Sequence, residues 1–520
     1  MTEKKNFWNG EERASEPSAK GPASAEKVKP GRSFEIDFRW AGLAVVLVAL
    51  MVGLAVGLNM NHENTASNVS GTINIDNGDE KINWNRYPSY DVELSETYTI
   101  TESGTYFLTG SISDGAVIVD TPANAVVRLV LDNVSIKNSS GPAIYCYNGD
   151  DLVIELVGEN TLEDDKTYSS DLDEDINGAI YSKADLTFTG EGSLTLTANY
   201  QDGIVGKDDV KFSGGTYKIT AADDGIRGKD SVYIVSGDFS IKSTADGIKS
   251  NNETDSTKGF VLIEDGTIEI AAGDDGIHAF SKLIIEGGSI NITKSYEGLE
   301  AKVIALNGGK ISIYANDDGI NAGGGSDSSS NQGAFDVDES CELAINGGEV
   351  YVNAAGDGLD SNGYLYINGG SVVVDGPTNS GNGALDSGGG IVMNGGTAIA
   401  VGASGMAETL GSNSQVNNIS VYFTSTLAKG TVIEIKNSAG ETVISHTSAK
   451  TFNHLAAGTD KFKTGETYTI YINGTEYETF TISSTTTTVG NGGGMNGGGA
   501  GAGMQNAGGQ NQGGQRGQMR

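Results

Sequence analysis

The chain has 520 residues, of which 76 are Gly but only 7 Pro and 2 Cys, and its formal charge is −35. The glycines keep no three-residue period, which excludes collagen, and two cysteines exclude a disulfide scaffold or a cysteine-based zinc site. So negative a field repels phosphate backbones and argues against nucleic acid as a partner, while it suits an extracellular, cation-binding surface. Cys146 and Cys341 are 195 residues apart and read as two buried thiols, with a bridge left open. The four histidines, 62, 278, 446 and 454, form no metal or hydrolase motif.

Residues 41–58 read AGLAVVLVALMVGLAVGL, and no charge falls from Trp40 through Asn61. At ~1.5 Å per helical residue, such a stretch covers a ~30 Å hydrocarbon core. Eight Lys/Arg precede it, and the first basic residue after it is Lys81. The positive-inside rule then predicts a cytoplasmic tail (1–39), a transmembrane helix (40–61), a linker (62–81) and an extracellular remainder on a single-pass cell-membrane protein. A cleaved signal peptide is the rival, and expects a shorter apolar run with a small-residue cleavage site close behind. Gly53 and Gly57 form a GxxxG pair, a spacing also common in spans that pack against nothing.

The next segment is a repeat. Triplets of the type Asp202-Gly203-Ile204 recur with their middle residues at 179, 203, 225, 247, 276, 298, 319, 358 and 384. Most steps are 21 to 26 residues, and the long ones of 29 and 39 hold polar inserts, 250–258 and 323–333. A Gly-Gly pair follows most triplets, as at 287–288, 308–309, 369–370 and 395–396. The runs between alternate with period two, as in Ser289-Ile290-Asn291-Ile292, which predicts strands. About 22 residues per unit, with two or three short strands and Gly turns, predict one coil of a parallel β-helix over 82–415. The Gly of each triplet reads as a turn residue needing positive φ. Residues 416–489 read as hairpins in a small β module or cap, and 490–520, with 14 Gly, as a disordered tail.

Stacked strands lie ~4.8 Å apart, so equivalent residues form columns. One column holds Asp202, Asp224, Asp246, Asp275, Glu297, Asp318 and Asp357, thickened by Asp223, Asp274 and Asp317. A second, three residues on, runs Tyr181, Val205, Arg227, Lys249, His278, Glu300, Asn321, Asp360, Asp386. Like charges so close repel unless a cation sits among them, and Ca²⁺ takes six to eight hard oxygens at ~2.3–2.6 Å. All these acidic residues and Asn321 are therefore candidate calcium ligands, with the richest oxygen patch from Glu297 to Asp386. Solvated turn carboxylates with diffuse counter-ions are the plain alternative. Arg227, Lys249 and His278 face their Asp neighbours either as self-neutralising pairs or as a cleft for an acidic sugar.

The segments SGTYFLTGSISDGAVIVD, VRLVLDNVSIKNSSGPAIY and ENTLEDD, the Asp-Gly-Ile coils, SAKTFNHL and TGETYTIYING carry a family resemblance. From about 82 to 490 the chain resembles the carbohydrate-binding β-helix family of clostridial cell-surface proteins. That family is similar to pectate-lyase-type polysaccharide lyases, especially family 9. The resemblance implies an all-β, right-handed parallel β-helix solenoid with a small C-terminal β module, bound calcium, and cellulose-like or acidic plant polysaccharide as ligand. Lyases of this shape hold calcium on an Asp cluster and use a Lys or Arg base. The nearest match here is Asp202, Asp223 and Asp224 with Arg227 or Lys249, but the last Asp of the cluster would fall near Arg227 or His278.

Three functions are expected to compete. The first is a membrane-anchored, calcium-dependent binder of acidic polysaccharide. The second is a calcium-dependent lyase acting by β-elimination, with Lys249, Arg227, Lys207 or Lys229 as base. The third is a structural surface adhesin whose calcium only stiffens coils. Trp84 is the one tryptophan beyond the apolar span, so little in the sequence suggests a flat cellulose platform.

Overall fold

The computed structural model describes residues 82–173, 175–323 and 337–491, all within the second of the two units, 1–66 and 67–520, into which the chain divides. The expected tail, span and linker, and all but the first two residues of the Gly-rich tail, lie outside the described residues.

Alternation does what period two requires. In Ser289–Ser295 the side chains of Ile290 and Ile292 are buried while Ser289 is exposed. Each such strand pairs in parallel with its counterpart one repeat on, and three ladders result. One joins Ile144, Ile180, Ile204, Ile226, Ile248, Ile277, Leu299, Ile320, Leu359 and Leu385. A second carries Leu152, Leu186, Val210, Val232, Val261, Leu283, Ile304, Leu343, Leu365 and Ile391. The third carries Leu162, Leu196, Ile219, Ile241, Ile270, Ile292, Ile313, Val352, Val374 and Ala400. All three send these side chains into one apolar interior. No repeat buries its own inner face, so this shared core is what stacking supplies.

Two kinds of glycine serve the wall differently. The second Gly of each Gly-Gly pair has positive φ, for example 84° at Gly288, as a tight corner requires. The triplet glycines do not have it, contrary to expectation. At Gly247 an added Cβ would lie 2.5 Å from the carbonyl oxygen of Gly276 in the next coil. These positions need Gly because backbone meets backbone. Beside the Gly-Gly corners, Asn307, Asn346, Asn368 and Asn394 form a ladder of amide bonds of 2.7–2.8 Å, each Nδ2 donating to the preceding Oδ1.

The expected fold class is corrected on these findings. Among the described residues 35 strands form one continuous sheet, because long strands such as Asp209–Ala221 pass through a corner and pair in two ladders. A solenoid of discrete short-stranded coils gives way to one wrapped, mainly parallel wall. Nor is the C-terminal part a sheet of its own throughout: Asn418–Leu427, Phe452–Thr459 and Thr486–Val489 continue the wall, partly antiparallel. Val432–Asn437, Thr442–Thr447, Thr467–Ile472 and Thr475–Thr481 make a separate four-stranded antiparallel sheet. Buried Asp375 ties that sheet to the wall, accepting bonds from Tyr351 Oη (3.0 Å), His446 Nε2 (3.0 Å), Ser448 Oγ (3.2 Å) and the Ala449 amide (3.0 Å).

The structure gives the expected transmembrane helix and single-pass placement no support. No helix among the described residues is long and apolar enough to cross a membrane, and 40–61 lies outside them. The sole helical stretch among the described residues is the 3-10 turn Trp84–Arg86.

Candidate functional site

The Asp of each triplet sits where one coil hands its hydrogen bonds to the next. The amide of Asp224 donates to Asp202 Oδ1 (3.1 Å), that of Asp246 to Asp224 Oδ1 (3.0 Å), and that of Asp275 to Asp246 Oδ1 (2.9 Å). Asp357 to Asp318 and Gly383 to Asp357 continue the pattern, each at 2.5 Å. In return each Asp carbonyl accepts the preceding triplet's Gly amide, as Gly225 donates to Asp246 at 2.8 Å. A carboxylate is acceptor-only, so one oxygen closes the ladder and the other is left for a cation. This geometry explains why the residue before Gly is acidic. It also excludes the picture of solvated turn carboxylates for the early coils, since Asp202, Asp224, Asp246 and Asp275 are at most 5% exposed.

The second column forms in the register the repeat implies: Tyr181, Val205, Arg227, Lys249, His278, Glu300, Asn321, Asp360 and Asp386 are successive partners. In its early half the chain supplies its own cations. Arg227 pairs with Asp202 Oδ2 and lies 3.9 Å from Asp224, and Lys249 Nζ is 2.6 Å from Asp246 Oδ2. His278 Nδ1 lies 3.1 Å from Asp275 and 2.7 Å from Glu300. Burial alone would discharge His278, but its bonds to Asp275 and Glu300 prevail and raise its pKa to about 10. Glu300 moves the other way: burial opposes its charge, yet the bond to His278 brings its pKa below the usual carboxylate value. Burial pushes Asp202 up to about 6 against the pull of Arg227, and Asp224 to about 7.

The late half has the same backbone and no such cations. No Lys, Arg or His among the described residues pairs with Glu297, Asp318, Asp357, Asp360, Asp386 or Glu408. Burial, with like charge behind it, pushes Glu297 up to about 8, Asp318 to about 7 and Asp357 to about 6, and Asp360 well up. Asn321 Nδ2 donates to Glu297 Oε2 at 3.0 Å, while its buried Oδ1 has no partner among the described residues. Asp275, Glu297 and Glu300 bring ligand atoms within 4.8 Å of one another, as Asp246, Asp275 and His278 do in the early half; among the described residues no such group of three forms from Asp318, Asp357, Asp360, Asp386 and Glu408. Glu408, from the segment after the last repeat, joins them. Burial, then the charges of Asp386 and Asp357, push it up to about 7.

Among the other candidates, Asp317 is the neighbour that most raises the pKa of the Tyr296 hydroxyl. Asp223 and Asp274 flank the row through their backbone: their carbonyls accept the amides of Ala245 (3.2 Å) and Tyr296 (2.7 Å). Sequence reasoning missed Glu408, which lies outside the repeat and carries no signal of its own. It also missed Asp185, Asp208 and Asp209, whose oxygens meet within 4.8 Å on a different ladder. Three of the four candidate bases are committed elsewhere, Arg227 and Lys249 to the pairs above and Lys207 to Asp175 at 3.3 Å, while Lys229 forms no ion pair among the described residues.

A donor set made only of carboxylates and an amide oxygen, without sulfur or imidazole, fits a hard divalent ion. The late half meets that description; the early half, with cations already among its carboxylates, does not.

Residues 95–342 match a family described as carbohydrate-binding domain-containing protein, a stretch that covers the early row and stops before Asp357. A carbohydrate-binding domain-containing protein of Acetivibrio thermocellus is 34% identical over 161 residues, 30% of this chain and 55% of the relative. The chain thus spans about half the length of that relative. Among solved structures, the polysaccharide lyase-like protein from C. thermocellum, as a gadolinium derivative, shares 33% identity over 42% of this chain and 84% of that one. Its TM-score of 0.37 is too low for the likeness to carry weight. The expected resemblance is met in its broader part: this chain is similar to carbohydrate-binding domain-containing proteins.

Proposed function

We propose that this chain binds polysaccharide, and that calcium held on the late acidic row takes part. The observation that carries the calcium reading is the uncompensated late row: among the described residues Glu297, Asp318, Asp357, Asp360, Asp386 and Glu408 have no basic partner, and the Asn321 Oδ1 beside them has no hydrogen-bond partner. A divalent ion relieves that repulsion, and carboxylates of an acidic, polygalacturonate-like chain complete its oxygen shell. This accounts for how a protein of charge −35 holds an anionic ligand. The carbohydrate part rests on the family match over 95–342.

The geometry offers the lyase reading no support, because β-elimination needs an uncharged base and Lys249 sits as one half of a 2.6 Å ion pair. Equilibrium binding of the full chain to polygalacturonate and to cellulose, with calcium and with EDTA, tests the proposal. Binding to polygalacturonate that chelator abolishes is expected. Equal affinity in both buffers would remove calcium from the account, and no binding to either polysaccharide would leave a purely structural role.

A further inference from the structure

Exposed aromatic rings in the described residues differ in what surrounds them. Phe107 is the one exposed aromatic of its strand, and Tyr147 has the Lys183 ammonium 4.4 Å from its ring centre. Tyr296 and Tyr314, 49% and 46% exposed, are different. They lie on adjoining coils: the Tyr296 carbonyl accepts the amide of Asp317 at 2.9 Å, and Tyr314 is three residues before Asp317. Both are outward positions, between or after the inward Ile313, Ala315 and Ser295.

Tyr296 follows the buried Ser295 at the end of its strand, and its carbonyl joins it to the Asp317 amide. Tyr314 meets the edge of Tyr351 at 5.8 Å, and Tyr351 is fixed in turn by its 3.0 Å bond to Asp375. A ring kept in place while half exposed loses little freedom when something stacks on it. Around them the surface is polar, with Asn291, Lys294, Ser312 and Asn316 on the same two coils. An apolar protein partner would require a continuous apolar patch, and none surrounds these rings.

We infer that Tyr296 and Tyr314 form a stacking platform for the pyranose rings of a polysaccharide, beside the acidic row. A pyranose has a flat face of C–H bonds and a rim of hydroxyls. The tyrosine rings suit the face, and Asp317, Glu297 and Asn316 offer acceptors to the rim. The register sets Tyr314 beside Thr293 and Lys294 rather than beside Tyr296, so the rings are offset along the strand as well as by the ~4.8 Å between coils and meet different sugars of one chain crossing the wall obliquely. This inference rests on the carbohydrate reading above and deepens it: stacking selects for the ring face whether or not the sugar is charged.

The test is calorimetry of the full chain with polygalacturonate and with a cello-oligosaccharide, comparing wild type, Tyr296→Ala, Tyr314→Ala, the double variant and Tyr314→Phe. Each alanine is expected to weaken binding about three- to tenfold, the double variant more, and Tyr314→Phe to change it less than about twofold. Calcium affinity without sugar should be unchanged in Tyr314→Ala, separating a lost platform from a lost ion. Alanine variants that bind like wild type, or Tyr314→Phe as weak as Tyr314→Ala, would overturn the platform alone. Wild type that binds neither sugar would overturn the carbohydrate reading and the platform together. Loss of self-association in the alanine variants, with sugar binding intact, would assign the face to a second copy of the chain instead.

Discussion

The early and late halves of the acidic row share one backbone and differ in what stands three residues after the acid. Asp246 and Asp318 occupy equivalent places, and the Oδ1 of each accepts the next coil's amide. Beyond Asp246 stands Lys249; beyond Asp318 stands Asn321. The first half is thus closed by its own side chains, while the second carries carboxylates that no Lys, Arg or His among the described residues pairs with. The two halves of one motif differ at a single position per coil.

The comparison breaks most visibly when an internal cation is removed. Arg227→Ala leaves Asp202, 1% exposed, with an unpaired charge, and urea unfolding should show a loss of about 3–5 kcal/mol. A loss below 1 kcal/mol would mean that the early row is not held by its pairs. The scaffold beneath should instead be equal in both halves. Gly247→Ala and Gly298→Ala would each place a Cβ within 2.5 Å of the next coil's Gly carbonyl, and each should cost about 1–3 kcal/mol. A tolerated substitution in one half only would show that the two backbones differ in rigidity.

Asp318→Asn should be smaller and opposite in sign between buffers. In EDTA it removes a repelled charge and should stabilise by roughly 0.5–1 kcal/mol; in calcium it should lower the thermal midpoint. The pH dependence sharpens the same point. Glu297, Asp318 and Glu408 have folded-state pKa values raised to about 8, 7 and 7. Raised carboxylates contribute stability that is present below their unfolded values and lost as pH rises through the folded ones. Without calcium the protein should therefore lose stability between about pH 5 and 8. Calcium needs the deprotonated groups, so its stabilisation should grow across that window. Thermal melts at pH 5 and pH 8, with and without EDTA, check both signs.

Much of this was legible in the residues. The triplet alignment predicts the pairing of Ile320 with Leu359 across a 39-residue step, and the second column appears in full register. Charge order along that column is a property of the sequence alone, so the split between halves could be read directly. Burial could not, because the exposure of Asp202 depends on ladders formed by residues 20 to 30 positions away. The role of the triplet glycines was hidden for a related reason: a close approach between backbones leaves no local mark, whereas a tight corner shows as Gly-Gly. The wall's continuity through its corners and into the C-terminal strands was likewise invisible to short-range alternation. Glu408 belongs to no repeat and enters the row only through folding.

Calorimetric titration of calcium into the full chain tests the central claim most directly, comparing Asp318→Asn/Asp357→Asn with Asp224→Asn/Asp246→Asn. The tight site should vanish in the first pair and survive in the second. Its loss from the Asp224/Asp246 variant, with Asp318/Asp357 binding as wild type does, would contradict the division of the row.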